Sequence, residues 1–159
     1  MKMMNISDAL NVIKAHQAKI PVQVIDLANE LGLKVYEVPN WPDDLSGMVR
    51  KNVEATGGFD IFVNQTHAET RRRFTIAHEI AHVVLHPHLI GDGITDDALL
   101  RSGLSNDVEA QANRLAADIL MPREALNSRL KMGINSVYVL ATEFKVSDQA
   151  MAIRLGVAQ

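Results

Sequence analysis

The chain has 159 residues, 47% of them hydrophobic and 22% charged, enough apolar material for one domain with a real core. A net charge of −3 gives no reason to expect nucleic-acid binding by the whole surface, and the absence of cysteine excludes disulfides and thiolate metal sites. Met1-Lys2-Met3-Met4-Asn5 is not followed by the apolar run of a signal peptide, and no stretch approaches the roughly 18 apolar residues of a membrane span, so the expected setting is the cytoplasm.

Residues 5–17 place Ile6, Ala9, Leu10, Val12 and Ile13 at helical spacing behind Ser7, a cap, and predict an amphipathic helix. Pro21 opens a second helix over 22–31, which Gly32 closes. The run from Leu27 to Leu33 looks like the first half of a helix-turn-helix, but Lys34-Val35-Tyr36-Glu37-Val38 alternates, so the reading is helix into strand. Pro39, Pro42, Asp43 and Asp44 mark a loop around Trp41. Residues 46–51 and 59–64 form a hairpin joined through Gly57-Gly58, and with 34–38 they make a small antiparallel three-stranded sheet. Thr66-His67-Ala68-Glu69 is a capping box opening a long helix that Pro87 stops just after His86. Residues 87–104, with Gly91, Gly93, Gly103 and Asp96-Asp97, read as a long loop suited to a functional flap. A helix follows over 106–120 with Val108, Ala112, Leu115, Ala116 and Ile119 on one face, and short helices at 123–131, 136–145 and 147–155 complete the chain. No internal repeat or low-complexity segment interrupts it.

The long helix carries the chemistry. Within Arg71-Arg72-Arg73-Phe74-Thr75-Ile76-Ala77-His78-Glu79-Ile80-Ala81-His82, the two histidines stand four apart and share a face, where both imidazoles can grip one metal ion. Glu79, one residue round the helix, can reach a water on that metal. This is the pattern of zinc peptidases, in which the glutamate is the general base. Two unrelated histidines and a surface glutamate would suit a helix with a polar face. Here Ile76, Ala77, Ile80, Ala81, Val83, Val84 and Leu85 make the helix apolar nearly all round, so it should be buried, and a metal removes the cost of burying the polar trio.

A catalytic zinc site has three protein ligands and an open position. His88 lies six residues after His82, the metzincin spacing, but the glycine that turns that chain back is Leu85 here, so His88 reads as a loop histidine. The rival is Glu109 on the second helix, with Asn113 one turn later placed to orient a ligand histidine from behind. Glu109 equally suits a capping-box role with Asn106. Spacing alone leaves these two readings of Glu109 even.

Several separated elements, in order, resemble the ImmA/IrrE family of metallopeptidases. They are Gly47 on a strand, Ile61-Phe62-Val63-Asn64, the helix just quoted, and Glu109-Ala110-Gln111-Ala112-Asn113 ending in Leu120-Met121-Pro122, together covering residues 20–125. The resemblance implies zinc ligands His78, His82 and Glu109 with Glu79 as general base, and a protein substrate, specifically a helix-turn-helix repressor of a phage or mobile element. The alternative is a non-proteolytic regulator that binds a repressor or DNA on the same scaffold. Substrate would add as an extra strand along 59–64, through Phe59, Ile61 and Val63, if that strand presents a free edge. His67 and the polar residues of the long loop are the candidates for stabilising the tetrahedral oxyanion, and none stands out.

Arg71, Arg72 and Arg73 oppose the helix dipole, which predicts that at least one pairs with a carboxylate elsewhere. His16, on the first helix, reads as incidental. Residues 139–155 resemble a helix-turn-helix, with Ala141 at the crossing, Ser147 as cap and Lys145 where glycine is common. From Ser147 onward the only basic residue is Arg154, too few phosphate contacts for DNA, so DNA binding is not expected and the pair should pack on the core. The expected whole is an α+β fold: residues 1–125 as a mainly helical zinc-peptidase domain with its small sheet, and 126–159 as a helical appendage packed on it. No motif speaks to oligomeric state.

Overall fold

Phe59, Ile61 and Val63 make one face of strand 59–64 apolar, and the chain buries the strand inside a sheet so that Asp60 and Asn64 on the other face are covered as well. The computed structural model describes residues 4–90, 94–95 and 106–157. Its strands are β1 (Lys34–Val38), β2 (Gly47–Lys51), β3 (Phe59–Asn64) and the two-residue β4 (Ile94–Thr95). Among the described residues the helices are α1 (Ile6–His16), α2 (Val24–Glu30), α3 (Glu69–Leu85), α4 (Asn106–Leu120), α5 (Arg123–Lys131), α6 (Val137–Phe144) and α7 (Asp148–Leu155). None is long and apolar enough to cross a membrane. The expected flap falls largely on residues 91–93 and 96–104, outside the described residues; its first part is a 3-10 turn, Pro87–Leu89.

The α+β class is as expected, but the sheet is mixed rather than antiparallel, in the order β1-β3-β2-β4. β2 and β3 form the expected hairpin, with Val49 opposite Ile61, while β1 runs parallel to β3 with Val35 opposite Ile61. A strand preceding a hairpin can add to either edge. Here β1 joins on the side of β3, because β3 is the strand with two faces to bury. The expected free edge at β3 is therefore absent. Phe59, Ile61 and Val63 point into the core and the backbone of β3 is paired on both sides, so this strand cannot accept substrate as an added strand.

Local chemistry sets the helix ends. Asn5, not Ser7, caps α1, its Oδ1 accepting from Asp8 N at 2.8 Å. Ser147 caps α7 as expected, and Ser136, which the sequence reading did not single out, caps α6. The capping box at α3 does not form: the Thr66 hydroxyl donates to Asn64 Oδ1 at 2.7 Å, so it is spent in the turn before the helix. Lys145, at the end of α6, takes the left-handed conformation expected of that turn, with φ 53°.

One hydrophobic cluster runs from Ile13 and Leu27 through Ile61, Ile76 and Ile80 to Leu126, Phe144 and Met151. Arg73 crosses this interior. Its guanidinium donates to Val22 O at 2.8 Å, Lys145 O at 3.0 Å and Phe144 O at 3.4 Å. The expected carboxylate partner is thus replaced by carbonyls at the C-terminal end of α6, where the helix dipole favours a cation. Burial lowers the Arg73 pKa from its ordinary value and nearby Glu69 opposes that shift. Replacing Arg73 by Ala should strand these carbonyls and cost about 3 kcal/mol, read by urea unfolding. Arg73→Lys should recover only part of it, since one ammonium cannot span acceptors on two separate segments.

Candidate metal centre

The site is made where α3 and α4 lie side by side. Each helix turns about 100° per residue, so His78 and His82 project from α3 in nearly the same direction while Glu79 emerges well round from them. All three are buried, Glu79 completely. The buried face of α4 is built from Ala112, Ala116, Ile119 and Leu120, and α3 buries Ala77 and Ala81. Short side chains at these positions let the helix axes approach closely, and no other pair of described helices packs as extensively. Glu109 needs that approach, because its side chain must reach across to both histidines.

It does. His78 Nε2 and His82 Nε2 are 3.1 Å apart, and each stands 3.1 Å from one carboxylate oxygen of Glu109. The donor atoms of the three residues all lie within 4.8 Å of one another. Ligands about 2.1 Å from a tetrahedral zinc are separated by about 3.4 Å, so two imidazole nitrogens and a carboxylate at this spacing fit such an ion with little adjustment. Three mutually adjacent acceptors would otherwise compete for too few protons.

Behind His82 stands a pair of residues that the sequence reading did not single out. His82 Nδ1 is 3.3 Å from His86 Nδ1, and His86 Nε2 is 2.7 Å from Gln111 Oε1. The spacing suits a relay in which His86 Nε2–H donates to Gln111 Oε1 and His82 Nδ1–H donates to His86 Nδ1. That arrangement leaves Nε2 of His82 unprotonated and aimed at His78 and Glu109, as a metal ligand requires. His86 follows His82 by one turn, a spacing visible in the sequence. Gln111 becomes its partner only once α3 and α4 are in register.

The other expected site residues fall elsewhere. Asn113 lies exposed on α4, and among the described residues its side chain makes no hydrogen bond to His78 or His82; His86 and Gln111 are the pair that stands behind His82. The i+4 spacing put Asn113 on the right side of α4, but one turn beyond the centre towards Phe74. His88 is exposed on the 3-10 turn, as a loop histidine should be. His67 is buried before α3 and its Nε2 donates to Asp43 O at 2.8 Å, which pins the 42–45 loop and keeps it from serving as an oxyanion donor. His16 pairs with Glu30 at 2.7 Å.

Gly47 at the start of β2 rests on α3 beside Glu79. A Cβ placed there would lie 2.5 Å from Thr75 Cγ2, 3.2 Å from Phe62 O and 3.5 Å from Glu79 Cγ. The absent side chain is what allows the sheet backbone to lie against the helix at this point.

Residues 17–156 match the family model of peptidases described as the IrrE N-terminal-like domain. No curated protein gives a significant match. Among solved structures, a transcriptional regulator from Mycobacterium tuberculosis superposes with a TM-score of 0.64 at 17% identity, over 95% of this chain and 46% of the regulator. At that identity the likeness is one of fold, and this chain spans less than half the regulator's length.

His86→Ala should weaken metal affinity about ten- to a hundredfold, measured by chelator competition on metal-free protein; an unchanged affinity would remove His86 from the centre. Gly47→Ala should lower the unfolding free energy by about 1–3 kcal/mol through the clash with Thr75, seen as a reduced urea midpoint.

Proposed function

Because the chain belongs to the family of the IrrE N-terminal-like domain, we propose that it is a zinc-dependent endopeptidase that cuts a cytoplasmic protein. The observation that carries this reading is the convergence of His78, His82 and Glu109 within 4.8 Å, next to a buried glutamate. His78, His82 and Glu109 would hold the ion, with His82 oriented by His86. When bound, zinc acidifies a coordinated water and polarises a carbonyl as a Lewis acid.

Glu79 does the proton work. It takes the proton from the attacking water and returns it to the leaving amine nitrogen as the peptide C–N bond breaks. Its complete burial keeps the carboxylate in a medium where charge interactions are stronger than in water. The close seat of Gly47 against Thr75 and Glu79 restrains the helix face from which that carboxylate projects.

The substrate we assign is a helix-turn-helix transcriptional repressor of a phage or mobile element. The family resemblance supports it, and so does the likeness of fold to a protein named as a transcriptional regulator. A scaffold that only bound a repressor would have no use for a buried Glu79 beside the two histidines.

Incubating the zinc-loaded protein with the repressor encoded beside it should yield discrete fragments, and a chelator should stop their formation. Glu79→Gln should keep the metal and slow cleavage at least about a hundredfold. Fragments that persist undiminished with Glu79→Gln would overturn the mechanism, and their absence from the wild-type reaction would favour a binding role.

A further inference from the structure

The face that carries the metal ligands continues beyond them. Phe74 lies one turn before His78 on α3, and Asn113 lies one turn after Glu109 on α4. Both residues line one open groove of about 850 Å³, so the two displacements lead to the same place. Its far wall is α7 with the residues leading into it. Val146 and Met121 are buried there, while Ile153 is 73% exposed on the wall.

The charge of this groove runs against that of the chain. The net charge of the protein is −3, yet the groove is lined by four arginines and one aspartate. Asp118 is already taken by Arg154 at 2.8 Å. The other three arginines are exposed, and none has a carboxylate within ion-pair distance among the described residues. Arg71 donates to Ser46 Oγ at 3.2 Å, Arg123 to Arg154 O at 3.1 Å, and Arg114 makes no side-chain hydrogen bond among the described residues. An apolar floor bordered by three uncompensated guanidinium groups is complementary to a chain segment that alternates acidic and apolar residues.

We propose that this groove is the docking channel for an acidic, apolar-anchored segment of the protein that the metal centre cuts, a few residues to one side of the scissile bond. The inference rests on the peptidase reading and gives it a substrate class. An extended segment advances about 3.3 Å per residue, so a chain seated at His78 and Glu109 reaches Phe74 and Asn113 within about two residues. Arg71, Arg114 and Arg123 then select acidic side chains beyond that point. Nucleic acid shares the negative charge but fits less well, since three free cations and an apolar floor make a poor phosphate track.

Two measurements on the full chain test this. In the first, the zinc-loaded protein digests a peptide library prepared from a whole proteome, and the cut sites are read by mass spectrometry. Asp and Glu should be enriched on one side of the cut within about six residues, and the double variant Arg114→Glu, Arg123→Glu should lose or invert that enrichment. In the second, zinc-loaded Glu79→Gln protein is titrated with a fluorescein-labelled twelve-residue peptide of alternating Glu and Leu, and with its Gln–Leu and Lys–Leu counterparts. The Glu peptide should bind about tenfold tighter than the Gln peptide, as a few surface ion pairs predict, and the double variant should prefer the Lys peptide. Circular dichroism melting confirms that the exposed substitutions leave the fold intact.

Cutting without acidic enrichment overturns the proposal, as does equal binding of the three peptides or an unchanged preference in the double variant. Tighter binding of a 24-base-pair DNA duplex than of the Glu peptide, lost in the double variant, would reassign the groove to nucleic acid and overturn it too. Absence of cutting together with charge-selective binding would leave the channel standing and remove the peptidase reading instead.

Discussion

How closely α3 and α4 approach decides whether this protein has a centre at all. Glu109 is a short arm, and it meets His78 and His82 at 3.1 Å only because alanines line the faces the helices bury. Bulkier residues where the two buried faces meet would push the axes apart by more than a hydrogen-bond length can absorb. The sheet serves the same end from the other side, where β2 meets α3 through the missing side chain of Gly47. Two elements, α4 and β2, thus press on one helix, and each does so through small residues.

Much of this was legible in the chain, and the gaps have physical causes. Helix positions followed from apolar spacing and from local signals such as Ser147 and Pro87. The order of strands did not, since a hairpin offers two edges and only the double burial of Phe59–Asn64 decides between them. His78, His82 and Glu79 were readable because one helix carries them all. Glu109 could not be separated from a capping role by spacing alone; the resemblance to a known family made the choice. Asn113 was placed correctly on its face but assigned to the wrong neighbour, while His86 and Gln111 went unnoticed, because a contact between two helices depends on their register and no single segment encodes that.

Arg73 shows a similar limit. Three arginines opposing a helix dipole signal an unusual partner, but not its nature. The structure answers with backbone carbonyls from Val22, Phe144 and Lys145, brought together from distant parts of the chain. A carboxylate would have satisfied the charge of one side chain. Carbonyls satisfy it while also closing the end of α6, so one guanidinium serves two elements that would each be left with unpaired polar groups.

The continuity of the hydrophobic cluster from α1 to α7 bears on how the molecule comes apart. Phe144 and Met151 share that cluster with Ile76 and Ile80, and the guanidinium of Arg73 sits across the same boundary. Loss of the last two helices would therefore open the interior beneath the very helix that bears the histidines. Unfolding of the α6–α7 end and loss of the centre are then one cooperative event, and clipping of the C-terminal helices would dismantle the centre without touching His78, His82 or Glu109.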